Sequence, residues 1–204
     1  VVRMKVITES ADFIALSKPA NVCFHTELDD NGETQIGFVE SVRSHFNDDQ
    51  LYPVHRLDRV TSGLMLFAKG PQVNRDISVL FQNKTIKKEY LALSPKKPKK
   101  KQGLVSGDMT KARGGSYKLV RTFENPAVTR FKAHKHHDNW LFYLWPETGK
   151  THQLRVMCKS LGSPILGDKR YGGEDADRCY LHSRSLSFEL HGVKHEIIDE
   201  PDFL

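Results

Sequence analysis

The chain has 204 residues and a formal net charge of +6, with 38% hydrophobic and 27% charged residues. This length predicts one domain with a sizeable core, and the lack of any long apolar run argues against a membrane span or a signal peptide. Three widely spaced cysteines argue against a disulfide scaffold and indicate reduced thiols in a cytoplasmic protein.

The positive charge balance is what a nucleic-acid binder needs, because phosphate contacts dominate the affinity of such proteins. By itself it identifies no binder, since many basic proteins bind no nucleic acid. The charge is uneven, with five lysines crowded into residues 96–101. A solvated loop is the simpler interpretation of this cluster, and an RNA clamp is the alternative.

The first half of the chain alternates short strands with two amphipathic helices. Strands are predicted at 2–7, 12–18, 51–54 and 63–69. Helical spacing of apolar residues predicts a helix over 34–46, with a buried stripe formed by Ile36, Val39, Val42 and Phe46. A second helix is predicted to open at Pro71, with a stripe formed by Val73, Ile77, Leu80 and Phe81.

The second half is richer in strands. They are predicted at 84–93, 116–122, 127–134, 140–145, 180–190 and 193–198, with a hairpin turn across 136–139. Residues 94–103, rich in Pro and Lys, predict an exposed linker or flexible loop. A third helix is predicted over 150–161, ending just before Gly162. Many short strands with three helices between them predict the α+β class.

A polar stretch, His55 to Ser62, directly precedes the predicted buried strand at 63–69. It places Asp58 between Arg56 and Arg59, and nearby cations are expected to keep such a carboxylate ionised at neutral pH. This group can act as a nucleophile, as a base, as a gate that excludes phosphate, or as one half of an ion pair. From composition alone the structural ion pair is the simpler interpretation.

The whole stretch 55–69, HRLDRVTSGLMLFAK, closely resembles the HRLDxxTSGLLLFAK signature of the RluA-type pseudouridine synthases. Met65 departs from the commonest version, and Leu-to-Met is a mild change in a core. Further motifs in order resemble the family's NKPxG, KxYxA, AxTxF, TGRxHQIRVH, GxPIxGDxxYG and LHA elements, at 18–21, 88–92, 127–131, 148–157, 162–172 and 181–183. Asn21 stands where the family usually has glycine. Several ordered motifs at compatible spacing form a specific signal over nearly the whole chain.

The resemblance implies that Asp58 is the essential catalytic carboxylate. Whether it attacks the ribose, attacks the base or removes a sugar proton is left open. Arg155 would hold Asp58 ionised through a charge-assisted pair. Tyr90 would stack on the target uracil and act as a proton donor or acceptor, with Leu154 packed beneath it. Without the motifs, Tyr90 is as readily a core tyrosine, and Arg155 a surface ion-pair residue.

The resemblance also implies residues that contact RNA. Arg56 would occupy the space of the extruded nucleotide, since chemistry on a base requires it to leave the stack. The remaining substrate-binding residues would be His55, Arg59, Thr61, Lys150, His152, Gln153 and Leu154. His152 and Gln153 could instead close hydrogen bonds at the first turn of the third helix. Lys150 replaces the family's arginine and loses its bidentate fork, and Met157 replaces a histidine.

For the whole chain, the resemblance implies one catalytic domain over 1–204 with the pseudouridine synthase fold. We expect a mixed, largely antiparallel central sheet with flanking helices and a central cleft. The partner would be ribosomal or transfer RNA, bound by a cytoplasmic monomer that needs neither cofactor nor metal. The residues before the 55–69 motif already match the synthase domain, so an N-terminal RNA-binding domain of the S4 type is expected to be absent.

Other classes of function have weaker support. An RNA-binding module that has lost activity is disfavoured, because Asp58, Tyr90 and Arg155 are all retained. A metal-dependent nuclease or glycosidase would need clustered carboxylates, which the sequence does not show. The histidines at 134, 136 and 137 fit a solvated turn better than a metal site. No Walker loop, dinucleotide fingerprint or GxSxG elbow is present.

Overall fold

The computed structural model describes residues 4–204. Within them the strands are β1 Val6–Glu9, β2 Phe13–Lys18, β3 Glu27–Leu28, β4 Thr34–Gln35, β5 Leu51–Pro53, β6 Ser62–Lys69, β7 Lys87–Ser94, β8 Gln102–Lys111, β9 Tyr117–Val120, β10 Ala127–His136, β11 Asn139–Pro146, β12 Leu181–Leu190 and β13 Val193–Ile198. The α-helices of this described part are α1 Phe38–Phe46, α2 Pro71–Gln82 and α3 Gln153–Ser160. The predicted α+β class is confirmed.

The chain divides into two compact units. The first unit comprises the described residues up to Lys87 together with Ser183–Asp202. Its strands follow the order β1–β2–β6–β12–β13, with β5 also paired to β6. The β1–β2, β2–β6, β5–β6 and β12–β13 pairs are antiparallel. Strands β3 and β4 form a separate antiparallel pair.

The core of the first unit lies between β6 and helix α2. The first seven residues of β6 are buried, as its apolar run predicts. From α2, Ile77 is fully buried in this core, and the other residues of the predicted stripe are partly buried and pack against the same core. Gly63, the second residue of β6, lies against the backbone of Ser183, where a Cβ atom would collide. The start of β6 therefore requires a glycine.

The second unit comprises Lys88–His182 with Phe203 and Leu204. Its strands follow the order β7–β11–β10–β8–β9, and each neighbouring pair is antiparallel. The predicted hairpin is confirmed, since His136 pairs with Asn139 across the turn. Helix α3 contacts β10. Burial alternates along β10, with Phe131 buried and Lys132 exposed, so the helix covers one face of this strand.

Two predicted elements of the first unit begin later than expected. Helix α1 begins at Phe38, whereas Thr34 belongs to β4 and Ile36 is 61% exposed. The cause is Gly37, which caps the helix and packs so closely on the backbone at His25 that a Cβ atom would collide. The strand predicted over 2–7 begins at Val6, and residues 1–3 lie outside the described part of the chain.

The exposed loop predicted over 94–103 is confirmed for residues 95–101, but both of its ends were placed wrongly. Ser94 is buried at the end of β7, and Gln102 opens β8, a strand that the sequence did not predict. The helix predicted from Lys150 begins at Gln153, because His152 adopts a left-handed φ of 58° and breaks the helical path. The helix ends at Ser160, one residue before the expected end, and Gly162 follows with a φ of 71°.

Candidate functional site

The loop 54–61, here called the Asp58 loop, connects β5 to β6 in the first unit. The backbone carbonyl of Asp58 accepts a hydrogen bond of 3.0 Å from the Thr61 amide, and the carbonyl of Arg59 accepts one of 2.8 Å from the Asn21 amide. Leu57, directly before the carboxylate, is 3% exposed. A fixed backbone therefore presents the half-buried side chain of Asp58.

Lys18 ties the Asp58 loop to the end of β2. Its side chain is fully buried. The ammonium Nζ donates to the carbonyls of Pro19 and Val22, both at 2.8 Å, and to that of Arg59 at 3.1 Å. These carbonyl dipoles compensate for the burial of the charge. Lys18 thus fixes the loop one residue from the candidate catalytic carboxylate.

His55 supports the same loop from its other end. Its Nε2 accepts a hydrogen bond of 3.0 Å from the Leu66 amide, and its ring stacks on Phe81 with centroids 5.2 Å apart. An accepting Nε2 carries no proton, so this contact requires the neutral imidazole. Thr61 is 3% exposed at the end of the loop. Both residues hold the loop in place, and their predicted RNA contacts stay predictions.

The two arginines of the Asp58 loop are exposed and turn to other partners. Arg59 donates from Nη2 to Oε1 of Glu27 at 3.2 Å, and both side chains of this pair are about half exposed. The Arg56 guanidinium lies over the ring of Phe24, 5.0 Å from its centroid. Exposed pairs of this kind contribute little to stability. Turning either arginine toward an incoming phosphate or base would therefore cost little free energy.

In the second unit, β7 carries Tyr90 beside Leu144 of β11. Tyr90 is half-buried. Lys88 precedes it by two residues, so the two side chains share one face of the strand. Lys88 donates from Nζ to the carbonyl of Thr148 at 3.3 Å. Burial lowers the pKa of Lys88 from its ordinary value of 10.5.

Arg155 lies on helix α3 and is buried with Asp168. Its Nε and Nη2 donate to the two carboxylate oxygens at 3.0 and 2.9 Å. The two side chains are 5% and 1% exposed. The guanidinium also lies over the ring of Tyr171, 5.1 Å from its centroid. This bidentate pair and the ring fix the plane of the guanidinium.

The hydroxyl of Tyr171 joins His152 to this group. It accepts a hydrogen bond of 3.0 Å from the Tyr117 amide and lies 2.6 Å from Nδ1 of His152. Burial raises the pKa of this hydroxyl, the largest of several effects. Tyr171 is 2% exposed and His152 half-buried. Arg155, Asp168, Tyr171 and His152 thus form one connected polar group around the start of α3.

The other predicted residues at the start of α3 differ in their exposure. Gln153 is buried, and its amide makes four hydrogen bonds of 2.7–3.1 Å, to Val128, Thr129, Thr148 and Lys150. These bonds close the first turn of the helix, and the predicted RNA contact of Gln153 stays a prediction. Leu154 is 8% exposed, whereas Lys150 is half-buried in the turn before the helix.

The described residues also bear on metal binding and on membrane insertion. Within residues 4–204, no group of three His, Cys, Asp or Glu side chains has the geometry to hold a metal ion. In the same part of the chain, no helix combines the length and apolar character needed to span a bilayer.

Comparison with known proteins decides the family. A model of the RNA pseudouridylate synthase family matches residues 12–160, which include the Asp58 loop, β7 and all of α3. The chain belongs to this family. The resemblance to RluA-type pseudouridine synthases in the sequence is thereby confirmed, and the chain is an RNA pseudouridine synthase, an isomerase.

Several bacterial synthases are similar to this one. An uncharacterized RNA pseudouridine synthase of Haemophilus influenzae is 47% identical over 189 residues, 91% of this chain and 82% of the relative. A ribosomal large subunit pseudouridine synthase C of Rickettsia felis is 35% identical over 89% of this chain and 61% of its own length. A ribosomal large subunit pseudouridine synthase D of Borreliella burgdorferi is 30% identical over 94% of this chain and 60% of its own length. The chain thus spans less than two thirds of the length of these two ribosomal large subunit synthases.

Two human structures share the synthase fold. Human RNA pseudouridylate synthase domain containing 1 superposes with a TM-score of 0.82 at 24% identity, over 99% of this chain and 85% of that one. Human RNA pseudouridylate synthase domain containing 4 superposes with a TM-score of 0.76 at 22% identity, over 98% of this chain and 89% of that one. At these identities the likeness shows the fold alone. The predicted pseudouridine synthase fold is confirmed.

Sequence reasoning assigned no role to several residues that support the synthase site. Lys18, Lys88, Asp168 and Tyr171 all stand inside matched motifs, yet the motifs do not tell which member supports which. The pairing of Arg155 with Asp168 depends on the turn after α3. The signal that could have found it is chemical, because an arginine expected to be buried needs a carboxylate nearby.

Proposed function

We propose that this synthase converts a uridine of large-subunit ribosomal RNA to pseudouridine, with Asp58 as the catalytic carboxylate. Relatives support ribosomal RNA over transfer RNA, because they include ribosomal large subunit pseudouridine synthases C and D at 30–36% identity. Because these relatives are longer than the present chain, the choice of RNA is part of the proposal.

The proposed catalytic role of Asp58 is supported by the way in which a buried lysine holds its loop in place. A fully buried lysine holds the loop backbone one residue away, while the carboxylate itself is half-buried and partly open to solvent. Burial of an ammonium group to fix a loop is costly and gives no gain in packing over an apolar side chain. Such support is expected where the position of a reactive group matters.

The chemistry needs one well-placed carboxylate. The C1′–N1 glycosidic bond of uridine breaks, the uracil turns, and a C1′–C5 bond forms. The proton lost from C5 is matched by one gained at N1, so the product is an isomer and nothing is oxidised. Asp58 either attacks as a nucleophile or accepts a proton. Both routes require its ionised form.

The other residues receive supporting roles under this proposal. Tyr90 stacks on the target uracil and exchanges a proton with it. Arg155 favours the ionised form of the catalytic carboxylate, and its orientation is set by Asp168. Arg56, exposed on the Asp58 loop, fills the space left by the flipped uridine. Arg59 and Lys150 bind RNA phosphates, while Leu154 packs beneath the tyrosine. The synthase acts as a monomer in the cytoplasm.

Mapping pseudouridine in total RNA from cells that lack this protein tests the proposal. We expect one site in large-subunit ribosomal RNA to be lost. Expression of the intact chain should restore it, and expression of Asp58→Ala should not. Restoration by Asp58→Ala would refute the catalytic role. Loss of a transfer RNA site instead would refute the proposed substrate and leave the reaction standing.

A further inference from the structure

One end of the second unit carries a dense group of positive side chains. The loop after β7 contributes five lysines, and the neighbouring end of the β10–β11 hairpin contributes two more. We call this surface the basic end and define it by Lys96, Lys97, Lys99, Lys100, Lys101, Lys132, Lys135 and Trp140. Of these lysines, all are exposed, and Trp140 is half-buried.

The lysine loop has a fixed backbone. The Lys99 amide donates to the carbonyl of Leu161 at 2.9 Å, and the Ser163 hydroxyl donates to that of Lys96 at 2.5 Å. The carbonyl of Lys101 accepts from the Ala133 amide at 2.6 Å. Pro98, in the middle of the loop, is buried. The loop is thus anchored to the end of α3 and to β10, and it holds its lysines close together.

The positive charges of the basic end have no carboxylate partners. Within residues 4–204, none of its seven ammonium groups forms an ion pair. Asp138 is the one acidic residue in the sequence segments 94–104 and 130–140. Repulsion between fixed like charges destabilises a folded surface. An anchored loop that accepts this repulsion is suited to a polyanion.

Trp140 adds an aromatic ring to the same surface. The Nζ atoms of Lys101 and Lys135 lie 5.7 and 5.9 Å from its ring centroid. Cation–π attraction therefore positions one ammonium from the loop and one from the hairpin around a single ring. Positive side chains combined with aromatic rings are found in the grooves of proteins that bind single-stranded RNA without sequence preference.

We propose that the basic end binds the sugar–phosphate backbone of the substrate RNA. This inference rests on the proposed function, because that function supplies the polyanion. Seven exposed ammonium groups spread over a loop and a hairpin offer more contacts to a chain of phosphates than to a single anion. The simpler interpretation of the lysine cluster as a solvated loop does not account for its anchored backbone.

The experiment compares two triple variants that remove the same charge. The test variant is Lys96→Gln, Lys97→Gln and Lys100→Gln. The matched control is Lys84→Gln, Lys87→Gln and Lys194→Gln, three exposed lysines of the first unit. Dissociation constants are measured on a large-subunit ribosomal RNA fragment across a series of potassium chloride concentrations. Pseudouridine formation is followed in parallel at saturating RNA.

Each phosphate that a lysine neutralises contributes about 0.7 to the salt slope for a single strand. The test variant should therefore bind roughly tenfold more weakly at low salt and lose about two from its slope, with kcat within about twofold of the parent. The control should bind like the parent. A test variant that binds like the control would overturn the proposal.

The two levels of inference fail in different ways. If the parent makes no pseudouridine in any RNA, the proposed function fails. The binding comparison still decides the basic end in that case. If the parent is active and both triple variants bind alike, the basic end alone fails. Should the test variant keep its RNA affinity but lose binding to phosphatidylserine vesicles, the surface serves a membrane and the proposal is overturned.

Discussion

Arg155 and Asp168 form a buried bidentate ion pair thirteen residues apart in sequence, with N–O distances of 3.0 and 2.9 Å. Both side chains are at most 5% exposed. The pair uses the Nε–Nη2 edge of the guanidinium, so any second anion must be bound through its remaining donors. Asp168 therefore decides which way the proposed catalytic arginine faces.

Replacing Asp168 with asparagine should impair both stability and turnover. Removal of one partner leaves a buried charge uncompensated, which costs about 3–5 kcal/mol. Urea unfolding should show a free energy of unfolding lower by that order. At temperatures where the variant is folded, kcat should fall while the RNA dissociation constant changes little. An Asp168→Asn protein with parental stability and kcat would show that the pair has no such role.

Tyr171→Phe removes one buried hydroxyl and keeps the ring beneath Arg155. The Tyr117 amide and Nδ1 of His152 each lose their partner. An unsatisfied buried group costs about 1–3 kcal/mol, so the free energy of unfolding should fall by that amount. Tyr52→Phe is the matched control, because its hydroxyl bonds only the exposed Gln50 and its loss should cost less than about 0.5 kcal/mol. Equal effects of the two changes would contradict the account.

Lys18→Met tests the support of the Asp58 loop by hydrogen exchange. The variant lacks the ammonium that bonds the Arg59 carbonyl. We expect the amides of Asn21 and Thr61, which close the turn, to exchange at least roughly tenfold faster, a local loss of about 1.4 kcal/mol. Amides in the middle of β6 report global stability and serve as the internal control. If all amides accelerate equally, the lysine supports the fold and not the loop.

The depressed pKa of Lys88 makes stability depend on pH. Between its lowered folded pKa and the ordinary value of 10.5, the unfolded chain binds the proton and the folded protein does not. The stability of the parent relative to Lys88→Met should therefore rise with pH across this window. Tyr171, whose raised pKa acts oppositely, is present in both proteins and cancels in the difference. A difference in unfolding free energy that does not change with pH would refute the burial of this ammonium.

Local patterns predicted most elements of this synthase, because a strongly apolar run such as β6 indicates a buried strand and a periodic apolar stripe such as that of α2 indicates a helix. The errors lie where contacts with a segment distant in sequence determine whether an element forms or where it begins. Helix α1 starts late because Gly37 packs on the backbone near His25. Strand β8 was missed because its sequence, QGLVSGDMTK, has weak alternation and two glycines. It is a strand because β10 lies beside it and pairs with it.

The candidate site could be predicted only in part. Motif resemblance identified Asp58, Tyr90 and Arg155 as candidates, because those residue types at that spacing are specific. It could not predict that Lys18 would be buried under the Asp58 loop, since a lysine at the end of a strand usually reaches solvent. The role of Gln153 was left open because its partners come from β10 and from the turn before α3.

Tritium release from ribosomal RNA labelled at C5 of uridine tests the central claim most directly, because the C5 hydrogen leaves when the C–C bond forms. Purified parent, Asp58→Asn and Asp49→Asn are compared, the last being an exposed aspartate of the same unit. We expect Asp58→Asn to lose at least about 100-fold in rate while binding RNA normally, and Asp49→Asn to match the parent. An Asp58→Asn protein that releases tritium at the parental rate would contradict the assignment of Asp58 as the catalytic carboxylate.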